Sequence, residues 1–193
     1  NEELVVSHCH AIWLAESGIE LAPAIAEVLD LTQGDGRYPL RDDVAAALSV
    51  PQLATRAARR MVAVLSQIAG RPFGQALAES TARDAFEKFD RAFDSWRRRL
   101  SAAEDQRDRG YRLSKSTQAS AEERRQGDRS YNSARRQIEL LKSGKDSNSS
   151  DFFTYRYLAT EGFLPGYNFP RLPLTAFVPG VERRGRGDFL SRA

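Results

Sequence analysis

Phe86, Phe89, Phe93, Trp96, Leu100 and Ala103 follow one another at steps of 3, 4, 3, 4 and 3, and no other pattern in the chain leaves so little choice of fold. Apolar side chains at that spacing line one side of an α-helix and form a seam that a second helix must cover. Acid precedes base by four residues at Asp84 and Lys88, Glu87 and Arg91, and Asp94 and Arg98, the order that stabilises exposed helix faces. The cover is encoded downstream, where Ser120 and Glu123 form a capping box and Tyr131, Ala134, Ile138 and Leu141 repeat the 3, 4, 3 spacing before Gly144. The pattern predicts an antiparallel helical hairpin inserted over 80–145. Its outgoing helix, over 82–112, would be about 45 Å long, with Phe89 and Trp96 facing Ala134, Ile138 or Leu141. Arg107, Gly110, Arg124 and Gly127 occupy the extrapolated seam positions, which predicts a dry base and a polar tip.

A helical body is expected over 1–79. Its first helix is capped by Asn1 and stopped by Gly18, and a second runs from Pro23 through Ile25, Val28 and Leu29. A short third helix opens at Asp42 or Asp43, and a fourth runs from Pro51 to Gly70. "SGKDSNSS" (Ser143–Ser150) reads as a flexible link. Over 146–193 the composition changes, since nine of the 18 aromatic residues fall in the last 43 positions. "FFTYRYLATEG" reads as a short helix closed by Gly162. "GFLPGYNFPRLPL" holds three prolines and fits no apolar period, so it is neither a continuous helix nor a central strand. Its aromatic residues are expected to pin it onto the body. Pro173–Val178 reads as an edge strand or extended segment, and "GVERRGRGD" as a loop. The fold class expected is therefore mainly α: a helical body, a projecting coiled-coil-like hairpin, and an irregular aromatic and proline-rich C-terminal segment with little β.

Charge is unevenly spread. Residues 1–79 carry six Lys/Arg and ten Asp/Glu, whereas 80–145 carry 17 and 11, an asymmetry that suits a phosphate-bearing partner. Arg97, Arg98 and Arg99 beside Trp96, with Arg124, Arg125, Arg135 and Arg136 on the returning helix, form a candidate phosphate-tracking surface. The alternative is a solvated face laced with ion pairs, because acids interleave throughout. Tyr167, Phe169 and Arg171 offer stacking and phosphate contacts to single-stranded DNA, with burial as the competing use of both rings. "DDVAAALSVPQLATRAARRM" has the outline of a helix-turn-helix, for which ordinary helix packing is the alternative.

Catalytic patterns are missing: there is no phosphate loop, G-x-G-x-x-G, H-E-x-x-H or G-x-S-x-G. "LKSGKDS" follows a helix where a phosphate loop would follow a strand. The single Cys9 permits no internal disulfide, and His8 and His10, the only histidines, point in different directions on a helix. No metal site is expected. No apolar run is long enough to span a membrane. "RGD" (Arg186–Asp188) is too short a match to assign adhesion. Starting at Asn1 rather than Met, the chain is expected to be a piece of a longer protein.

The run "DFFTYRYLATEGFLPGYNFPRLPLTAFVPG" (151–180) resembles a marker segment of large bacterial superfamily 2 helicases of the DEAD/DEAH type, a group that includes the DrmA-type helicases of DISARM phage defence. "NEELVVSHCHAIWLAESG" is similar to the segment that follows the second RecA-like motor lobe in those proteins, and "GRGDFLSRA" to the lead into their next domain. The resemblance implies an accessory region of a cytoplasmic, ATP-dependent DNA helicase or translocase, with the motor motifs upstream of Asn1. The implied cofactors, ATP and Mg, belong to that motor, and none is expected in this chain, which by itself would not be an enzyme. The implied partners are DNA and the motor lobes of the same polypeptide, with no membrane. An alternative is a protein-docking coiled-coil arm that recruits a defence-system partner subunit. Steep salt dependence distinguishes DNA contact from docking through an apolar seam.

Overall fold

The structure is a computed structural model, and it describes residues 2–33, 36–70, 72–143 and 154–166. The protein is mainly helical, with α1 (Glu2–Ser17), α2 (Asp42–Leu48), α3 (Leu53–Ala69), α4 (Gln75–Ala92), α5 (Asp94–Lys115), α6 (Ala121–Ser143) and α7 (Thr154–Thr160). An antiparallel bridge joins Leu29 with Leu40. The Asn1 cap, the 144–150 part of the link, the Pro173–Val178 segment and the "GVERRGRGD" loop lie outside them.

The body is built from α1, α3 and α4, which pack on one another. α3 turns Leu53, Ala57, Ala58, Met61 and Leu65 inward, one residue per turn or nearly so, as a single buried stripe requires. The second helix expected from Pro23 is a single 3-10 turn, Ile25–Glu27. Its chain is captured instead by backbone bonds across the bridge, Asp30 N–H to Pro39 O and Arg41 N–H to Val28 O. Ile25, Val28 and Leu29 are still buried, so the apolar pattern identified core residues there but not their conformation.

The expected long outgoing helix is two helices. In an unbroken helix the Trp96 N–H would bond the carbonyl four residues back, but it donates to the Tyr157 hydroxyl at 3.1 Å. The break falls at Phe93, whose φ of −84° and ψ of −3° end α4. Insertion of a side chain into the ladder is an established cause of a kink. The arm therefore starts at Asp94 rather than near residue 80, and α5, with 22 residues, is about 33 Å long.

Because α4 stays in the body, Phe89 faces Trp13, Phe93 and Phe163 at ring separations of 6.1, 5.3 and 5.5 Å rather than the returning helix. The seam spacing is right and its partner changes halfway. Trp96, Leu100 and Ala103 on α5 and Ala134, Ile138 and Leu141 on α6 are all buried, and α5 with α6 is the most extensive helix pair of the molecule. The capping box forms, with the Glu123 N–H bonding Ser120 Oγ and the Ser120 N–H bonding Glu123 Oε2.

α7 is tied to the body by Thr154, whose Oγ1 donates to Ala22 O at 2.6 Å. Gly162, at φ +78°, closes it, and the N–H groups of Phe163 and Leu164 both return to Leu158 O. That turn drops Phe163 into the core, stacked at 4.4 Å on His10.

Candidate nucleic-acid interface

The sequence singled out ten residues for DNA contact, and the structure separates them. Tyr167, Phe169 and Arg171 lie outside the described residues. Arg97 is not a surface cation: its side chain is only 12% exposed. Its Nη2 bonds Asp90 at 2.5 Å, its Nη1 bonds Asp94 and the Asp90 carbonyl, and its Nε bonds Tyr38 O. Arg97 thus fastens the α4–α5 break and the loop carrying Tyr38, a position where a guanidinium fork suits several acceptors at once.

Arg124 is likewise engaged, donating to Ala119 O at 2.6 Å across the turn between α5 and α6. Arg98, Arg99 and Arg125 are exposed. They do not form one patch. Arg98 and Arg99 stand at the base of the arm and Arg125 near its tip, about 25 Å apart along the helices at 1.5 Å per residue.

A different stripe emerges on α6. At 100° per residue, Arg125, Arg129, Asn132 and Arg136 share the side opposite the buried Gly127, Ala134, Ile138 and Leu141. All four are exposed, they span about 16 Å, and no carboxylate lies on the stripe between its ends. Arg129 and Arg136 make no ion pair among the described residues, and Arg125 meets only Glu122, at 3.5 Å. The outer side of α5 offers Arg98, Arg109 and Arg112, but Asp105 interrupts them. Two acids of the arm are occupied, since Glu104 accepts from the Tyr38 hydroxyl and pairs with Lys142 at 3.3 Å, and Asp108 pairs with Arg107 at 2.8 Å; Asp105, Asp128 and Glu139 are exposed, and Asp128 flanks the stripe beside Arg129. Arg129 went unnoticed in the sequence, although the 4, 3, 4 spacing of Arg125, Arg129, Asn132 and Arg136, opposite the seam, is readable there.

The cysteine and one histidine of α1 are core residues. Burial pushes the Cys9 thiol up to about 11, which removes its thiolate at neutral pH. Burial holds His10 down at about 4, opposed by the Phe163 carbonyl and helped by the nearby Lys88 charge. Its Nδ1 donates to Phe163 O at 3.0 Å, so His10 is a neutral core residue. Among the described residues no group of three or more His, Cys, Asp or Glu is placed to hold a metal, and no helix is long and apolar enough to cross a membrane. No protein-family model, curated protein or solved structure matches the chain.

Proposed function

We propose that the α5–α6 arm contacts nucleic acid along the outer side of α6, and that the chain is an accessory region of a cytoplasmic ATP-dependent DNA helicase or translocase. The observation that carries DNA contact is the stripe of Arg125, Arg129 and Arg136, three guanidinium groups displayed along about 16 Å of a helix tethered to the body, of which Arg129 and Arg136 make no ion pair among the described residues. Guanidinium groups so spaced bind backbone phosphates without reading sequence. The helicase parentage rests on the resemblance of residues 151–180 and of both chain ends; ATP and Mg belong to the motor lobes in that reading. The docking alternative is weakened because the apolar seam is already filled by the arm's own two helices, leaving an arginine-rich outer side.

The test is a salt series. With about three phosphates engaged, the logarithm of the duplex binding constant should fall with the logarithm of salt concentration at a slope of about −3. Fluorescence anisotropy of a labelled duplex with the 193-residue chain measures it. Absence of binding at low salt, or binding with a flat slope, would remove the DNA-contact reading.

A further inference from the structure

Beside Gly110, where α5 approaches α6 closely, the arm holds an open cleft of about 820 Å³, lined in part by Arg107, Tyr111, Tyr131, Arg135 and Glu139. Tyr111 is 52% exposed, an unusual position for a large ring on a helix otherwise packed along a seam. Its ring centre lies 5.8 Å from that of Tyr131, tilted by 48°, and the Arg135 guanidinium carbon stands 5.7 Å from the Tyr131 centre. Two aromatic rings and a guanidinium group thus line one solvent-open space, with Arg135 lying over the Tyr131 ring and the Tyr111 ring the more exposed of the two.

We propose that this cleft stacks an unpaired nucleobase, which makes the arm a single-strand contact as well as a phosphate contact. Aromatic rings and guanidinium planes accept the face of any base, whereas paired bases inside a duplex cannot reach them. The charges fit a base better than a phosphate. Arg107 is occupied by Asp108, and Glu139, without an ion pair among the described residues, would repel a phosphate from the interior of the cleft. Arg135 adjoins Arg136 of the outer stripe in sequence, so a backbone held along α6 passes within reach of the cleft. The inference rests on the proposed nucleic-acid contact and adds its substrate class, single-stranded DNA or RNA with little sequence preference.

The test compares a labelled oligothymidylate with a duplex of equal length, binding to wild-type chain, Tyr111→Ala and Tyr111→Phe, with helix content checked by circular dichroism. Tyr111→Ala should weaken single-strand binding about tenfold, the size of one lost base stack, and leave duplex binding unchanged; Tyr111→Phe should bind like wild type. If Tyr111→Ala binds the single strand as tightly as wild type, or loses single strand and duplex equally, the cleft is not a base site and the α6 stripe stands alone. If wild type binds neither DNA, both proposals fall together.

Discussion

At the base of the arm, Trp96, Leu100 and Ala103 belong to one buried cluster with Ile138 and Leu141, and polar ties to the body reinforce it. Arg97 reaches Tyr38 O, Glu104 bridges Tyr38 and Lys142, and Tyr157 takes the Trp96 N–H. Toward the tip the side chains disappear. A Cβ built at Gly110 would lie 2.7 Å from Tyr131 N, and one at Gly127 would lie 2.6 Å from Ser114 N and 2.9 Å from Gly110 O. The two helices touch there backbone to backbone, a contact open only to glycine. One supersecondary unit is thus closed by large side chains at one end and by their absence at the other. Close approach at the tip keeps α6 on α5 while its arginines face outward.

Trp96→Ala should separate the two ends most strongly. Removing a fully buried indole costs about 4 kcal/mol, measurable as a lower urea midpoint, and the loss should include the body because Trp96 shares its cluster. An unchanged midpoint would place Trp96 outside the folding unit. The indole N–H has no hydrogen-bond partner among the described residues, so the substitution breaks no hydrogen bond of the ring and the loss is one of packing.

Acid should reach the body next. His10 is held below its ordinary value, to about 4, whereas an unfolded chain protonates it near 6.5. The unfolded state therefore binds the extra proton between these values, and stability present above pH 6.5 is lost as pH falls toward 4. The slope approaches 1.4 kcal/mol per pH unit and the total about 3 kcal/mol. His10→Phe should flatten urea-derived stability across that window. An equally steep decline in the variant would assign the acid sensitivity to other groups.

Gly127→Ala should be the smallest of the three and local to the tip. Alanine in an open helix is favoured over glycine by about 1 kcal/mol, yet the new methyl meets backbone atoms of Gly110, Leu113 and Ser114, which cannot rotate aside. A net loss of about 2 kcal/mol is expected, read by hydrogen exchange as reduced protection around Gly110 with protection at Leu100 retained. A stabilised variant would mean that the helices stand further apart than described.

These contrasts show which features were legible in the sequence. The seam, the capping box and the stops at Gly18, Gly70 and Gly162 could be read because each depends on local spacing or on one residue's backbone freedom. The transfer of Phe89 from the arm to the body could not be read, because a 3, 4 period reports that a side is covered but not by what. The break at Phe93 depends on Tyr157, 64 positions away in the chain. Gly110 and Gly127 looked like a fading seam because close packing of backbone leaves no apolar signal. Arg97 and Arg98 are neighbours in sequence with opposite fates, one clamped and one free, decided by a rotation of 100° about α5.

The claim that nucleic acid is held by the arm, and not by net charge, is tested most directly by two neutralised variants of equal charge. Arg129→Gln with Arg136→Gln removes two cations from α6, and Arg59→Gln with Arg83→Gln removes two exposed cations from α3 and α4 of the body. Duplex affinity measured across salt should fall for the arm variant, with its salt slope shallower by about 2, while the body variant keeps the wild-type slope. Equal losses in both variants would contradict the assignment of DNA contact to α6.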